Sequence, residues 1–122
     1  MPIFFADTYA FVEYTKGNKA YLKYFLENKV FTTKLNLMEL YYSALAEAGE
    51  EKAEEYYDSF LSLCIEVEDE TVKEAMKFKY LQKKRNLSYV DAIGYKMAQG
   101  KGMRFLTGDK EFKEMENVEF VK

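Results

Sequence analysis

Short apolar runs alternate along the chain with longer stretches in which apolar residues recur every three or four positions. The runs Ile3 to Ala6, Val30 to Thr33, Cys64 to Val67, Arg104 to Thr107 and Val118 to Val121 predict short strands. Leu35, Met38, Tyr42 and Leu45 share one helical face. So do Ala53, Tyr56, Tyr57, Phe60 and Leu61, and again Val72, Ala75, Met76 and Tyr80. A further helix is predicted from Ser88 to Gln99, with Gly100 and Gly102 to end it. Strands that alternate with helices imply an α/β domain, with a mostly parallel sheet covered on both faces. The helix from Val72 to Lys84 has to return the chain to the edge where the next helix starts. It is therefore expected to lie across the sheet, on a path that periodicity does not define.

This pattern has a consequence for the acids. Ligands of open parallel sheets bind beyond the carboxyl ends of the strands. Asp7 directly follows the first predicted strand, and Asp109 stands two residues beyond Arg104 to Thr107. Glu39 lies in the first turns of the helix that leaves Val30 to Thr33. Asp91 lies in the first turn of the helix that feeds Arg104 to Thr107. All four are thereby directed to one edge. Each also has a plainer explanation. Asp7 fits the N-cap of a helix starting at Thr8, Asp91 closes a capping box with Ser88, and Asp109 suits a turn. Glu39 is the only charged residue between Asn36 and Ala46, and a carboxylate in so apolar a run needs solvent or a partner.

Composition narrows the chemistry. The 122 residues suit one domain, 1–122, and 48% apolar with 32% charged residues suits a packed core. No apolar run approaches the roughly 20 residues that cross a bilayer. The start, Met1 to Asp7, lacks a basic flank ahead of a long apolar stretch, so no signal peptide is expected. One cysteine, Cys64, cannot form an intrachain disulfide, which fits a reducing cytoplasm. The absence of histidine removes Ser-His-Asp and Cys-His catalysis and, with a single cysteine, structural zinc sites. No glycine-rich phosphate loop is present. Carboxylates remain, and they suit a hard cation such as Mg2+ or Mn2+.

The net charge of −3 gives no bulk attraction for nucleic acid, so any such substrate needs local cations. Lys77, Lys79, Lys83, Lys84 and Arg85 form a basic run with two readings. It complements the C-terminal end of a helix that Glu68, Asp69 and Glu70 open, or it contacts RNA phosphates. Tyr56, Tyr57 and Phe60, among 11 Tyr and 10 Phe, read as core or dimer contacts or as a platform for bases.

Four segments together resemble PIN domains, most of all the VapC toxins of bacterial and archaeal toxin–antitoxin pairs. They are Ile3-Phe4-Phe5-Ala6-Asp7-Thr8, Leu37-Met38-Glu39-Leu40, Leu87-Ser88-Tyr89-Val90-Asp91-Ala92 and Phe105-Leu106-Thr107-Gly108-Asp109. The likeness spans nearly the whole chain. It implies a three-layer α/β/α sandwich and a Mg2+- or Mn2+-dependent endoribonuclease. Asp7, Glu39, Asp91 and Asp109 would hold the metal, and Thr107 would help to orient a ligand or water. It further implies a homodimer and a cognate antitoxin whose tail covers the acidic cleft. Two rivals stand beside this reading. An inactive PIN module that binds RNA or a protein is opposed by the retention of all four acids. An aspartate phosphotransfer enzyme needs a second Asp two residues after Asp7, where Tyr9 stands.

Overall fold

Along β1 (Ile3–Ala6), Phe4 and Ala6 face one side of the sheet and Phe5 faces the other, and all three are buried. Two-sided burial is what a parallel strand between helical layers requires. The computed structural model describes residues 2–122; Met1, where the expected domain begins, lies outside the described residues. After β1 come α1 (Thr8–Thr15), α2 (Lys19–Glu27), β2 (Lys29–Phe31), α3 (Lys34–Glu47) and α4 (Glu50–Phe60). The chain continues through α5 (Asp69–Leu81), α6 (Tyr89–Gly100), β3 (Arg104–Thr107) and β4 (Val118–Phe120). Single 3-10 turns lie at Leu61–Leu63 and Lys110–Phe112.

The four strands form one parallel sheet in the order β2-β1-β3-β4, with Phe5 level with Phe31 and Phe105. One core joins Phe5 and Phe105 to Ala92, Ile93, Tyr95 and Met97 of α6. The other joins Phe4, Ala6 and Leu106 to Phe11, Tyr21, Tyr24, Leu37 and Leu40 of α1, α2 and α3. The architecture is thus the expected three-layer sandwich. Gly94 sets the depth of α6: a Cβ there would stand 2.7 Å from the Phe5 ring, so only glycine lets the helix lie this close to β1.

Three expectations change. Cys64 to Val67 is not a strand. It makes one parallel bridge, Thr32 with Cys64, held by Thr32 N–H to Leu63 O at 3.1 Å and Ile65 N–H to Thr32 O at 2.9 Å. The segment leaves a 3-10 turn directly, and Ile65 and Val67 then pack on the α6 core instead of extending the ladder. The second strand ends at Phe31, because Thr33 turns to cap α3, its side chain accepting from Asn36 N–H. Helix α2 was not anticipated, although Asn18 caps it and Tyr21, Tyr24 and Phe25 follow helical spacing. As for the path of α5, the helix packs mainly against α6, and α6 packs on β1 and β3. Glu68 at the start of α5 lies 3.9 Å from Lys101 at the end of α6, so the two helices run antiparallel. Helix α5 lies on α6 rather than across the sheet, and α5 itself returns the chain to the carboxyl edge where α6 starts.

Candidate active site

Every strand runs the same way, so the carboxyl ends of β1 and β3 lie side by side at the sheet's centre. Asp7 leaves the first and Thr107 ends the second. Asp7 is only 2% exposed. It is the N-cap of α1, and its Oδ1 accepts from the amide of Ala10 at 2.9 Å. Asp91 completes a capping box: Ser88 N–H donates to its Oδ2 at 3.0 Å, and its own amide donates to Ser88 Oγ. Asp109 starts the turn after β3, its Oδ1 accepting from Glu111 N–H at 3.0 Å. The plain capping explanations are therefore all present, and they are compatible with a second role. A backbone amide takes one oxygen of each carboxylate and so fixes its direction, while the N-termini of α1 and α6 bring helix-dipole charge to the same place.

Glu39 reaches this edge through side chains that sequence reasoning passed over. The Thr8 hydroxyl donates to Glu39 Oε1 at 2.5 Å and accepts from Asn36 Nδ2 at 3.2 Å. Asn36 Oδ1 in turn accepts from the Thr33 hydroxyl at 2.7 Å. Because Asn36 supplies a proton to Thr8, the hydroxyl's own proton is left to point at Glu39. The signal was available, since Asn36 stands three residues before Glu39 on the same helical face and is only 2% exposed. Thr107 is completely buried beneath the acids, and its hydroxyl accepts from the amide of Asp109 at 3.0 Å.

The grouping has an electrostatic consequence. Burial pushes the Asp7 carboxyl up to about 8. The Thr107 hydroxyl and Ala10 amide oppose this in part, and the charges of Asp91 and Asp109 add to it. Burial likewise raises Asp91, against its bonds to Ser88 and with help from Asp109 and Glu39. Asp7 thus senses Asp91 and Asp109, and Asp91 senses Asp109 and Glu39. Among the described residues, no lysine or arginine forms an ion pair with any of the four. Like charges gathered without a cation either take up protons or bind one.

The donor set fits a hard divalent ion: carboxylate oxygens, with neither imidazole nor thiolate nearby. Among the described residues no group of three or more ligating side chains is arranged to enclose an ion.

Comparison with solved structures places this arrangement among known folds. The chain superposes on VapC20 of Mycobacterium tuberculosis, a Sarcin-Ricin loop cleaving toxin, with a TM-score of 0.78 at 20% identity, covering 97% of this chain and 96% of that one. It is similar to VapBC2 of Rickettsia felis, solved bound to a promoter DNA fragment, with a TM-score of 0.73 at 20% identity, covering 98% and 97%. It is also similar to a toxin–antitoxin complex from Klebsiella pneumoniae, with a TM-score of 0.72 at 18% identity and 94% of each chain covered. No curated protein matches by sequence. The PIN domain model matches residues 4–118, nearly the full chain, and the protein belongs to the PIN domain family.

Proposed function

We propose that this chain is a Mg2+- or Mn2+-dependent endoribonuclease, the toxin of a VapBC-type pair. The observation that carries the reading is Asp7: a carboxylate buried at the carboxyl edge of the sheet, beside two other acids, with no cation to balance it. Asp7 and Asp91 would be the primary metal ligands, with Glu39 and Asp109 completing the shell directly or through water. A bound divalent ion lowers the pKa of water and stabilises negative charge on a scissile phosphate. The residues of the chain supply the rest. Glu39, held as an acceptor by Thr8, orients water. Thr107 acts from below, steadying Asp7 and the turn that presents Asp109. Proton transfer by histidine has no part, since the chain has none.

The toxin assignment draws on the structural neighbours, several of which were solved with antitoxins. An antitoxin partner and a homodimer are proposed on that ground. Exposed Met38, Tyr42 and Leu45, spaced along the outside of α3, supply apolar surface that such contacts would use. No helix among the described residues is long and apolar enough to cross a membrane, and a cytoplasmic location is proposed with the rest.

Nuclease assays of Asp7→Asn and Asp91→Asn with Mg2+ or Mn2+ test the reading. Each substitution is expected to reduce cleavage by about a hundredfold or more, the loss of some 2.7 kcal/mol of transition-state stabilisation. Cleavage at the parent rate would refute the assignment.

A further inference from the structure

The turn joining α5 to α6 carries a cationic and aromatic patch that the acidic edge does not use. Lys79 Nζ lies 5.1 Å from the centre of the Tyr89 ring, and Lys83 Nζ lies 4.1 Å from that of Tyr80. Both tyrosines are 66% exposed. Lys79, Tyr80, Lys83, Arg85 and Tyr89 line one open hollow with Met76. None of its three cations is in an ion pair with a carboxylate among the described residues. The dipole of α5 accounts for the sign of charge at its C-terminus. It does not account for two exposed rings between the cations.

The hollow is tied to the acids by short covalent and hydrogen-bonded links. Lys79 Nζ donates to Leu87 O at 2.8 Å, next to Ser88, which holds Asp91. Arg85 donates to Glu111 O at 2.8 Å, and Asn86 N–H donates to Glu111 Oε1 at 3.2 Å. Glu111 N–H in turn donates to Asp109. The patch therefore borders both Asp91 and Asp109.

We propose that this hollow is the track for the single-stranded RNA that flanks the cleaved bond. Bases stack on Tyr80 and Tyr89, while Lys79 and Lys83 move from ring faces to neighbouring phosphates. A chain with net charge −3 needs such a local cation cluster to hold a polyanion next to four carboxylates. Stacking on exposed rings tolerates any base, so the track gives affinity and direction rather than sequence readout. The inference rests on the ribonuclease reading above.

Fluorescence anisotropy tests it, using a labelled mixed-sequence RNA of about 12 nucleotides in EDTA, so that binding is read without cleavage. The Tyr80→Ala, Tyr89→Ala double variant is expected to weaken binding about a hundredfold, the loss of two stacked bases, and Lys83→Glu about tenfold, the loss of one ionic contact. Tyr80→Phe, Tyr89→Phe should bind as the parent does, because the ring is kept. Lys83→Glu should also lower the slope of log affinity against log salt. Lys52→Glu, a charge reversal on α4, is the control and should change little. Parent-like binding by the alanine pair and by Lys83→Glu would overturn the proposal. So would equal weakening by Lys52→Glu, or no measurable binding by the parent. Cleavage of a long RNA by the parent with Mg2+ is measured alongside. Its absence strikes the ribonuclease reading, whereas unchanged binding by the variants strikes the track alone.

Discussion

Asp7 is 2% exposed and its carboxyl is raised to about 8, so this single residue links the folding equilibrium to pH. An acid raised by folding holds a proton in the native chain that the unfolded chain has already released. Between pH about 4 and about 8, stability therefore falls as pH rises. In EDTA, the melting temperature of the parent is expected to decline across that window. Asp7→Asn keeps an oxygen for the Ala10 amide and removes the charge, so its melting curve should be flatter and lie higher near pH 7. A parallel decline in both proteins would show that Asp7 is not the titrating group. Saturating Mg2+ should lift the parent and not the variant, by about 2.7 kcal/mol at a hundredfold excess over Kd. A second prediction concerns Thr8, whose hydroxyl orients Glu39. Thr8→Val should lower kcat about tenfold, and Thr8→Ser should restore it. The cost in stability should be about 1–3 kcal/mol, because Asn36 Nδ2 loses its acceptor. Denaturant titration and single-turnover cleavage separate the two effects.

At the scale of elements, α6 does most to position the candidate site. Its capping box aims Asp91, and Gly94 one turn later lets the helix settle against Phe5. Gly94→Ala places a methyl where the Phe5 ring stands, and overpacking of this kind costs about 1–3 kcal/mol. Because the displaced helix carries Asp91, activity should fall more than the populations of folded protein explain. Urea unfolding and cleavage measured on one preparation would show whether the two losses separate. Most elements were legible as periodicity. Ile3 to Ala6 and Arg104 to Thr107 read as strands and are strands, because buried parallel strands are short apolar runs. Cys64 to Val67 has the same look and makes only one bridge, since apolar character reports burial and not ladder pairing. The basic run and the aromatics were visible too, but their exposure was not. Tyr56, Tyr57 and Phe60 pack against the core under α1 and α2, while Tyr80 and Tyr89 stand in solvent beside lysines.

For the whole molecule, a homodimer is expected to sediment as such at micromolar concentration, and Met38→Glu with Tyr42→Glu should shift it toward monomer. A monomeric parent, or a dimer indifferent to both changes, would remove α3 from that role. The sequence by itself determined the class of fold and the kind of chemistry. Alternating periods require parallel strands between helices, and without histidine the carboxylates are the groups left to carry the proposed chemistry. It also determined that acids follow β1 and β3, because adjacency in the chain is adjacency at a strand's end. Only the tertiary structure decided which of those acids is buried, which faces another, and which is held by a partner. Burial of Asp7 depends on layers built from residues far along the chain, and the bond from Thr8 to Glu39 spans two helices. Solvent exclusion and hydrogen bonds of that kind belong to packing, and no local pattern encodes them.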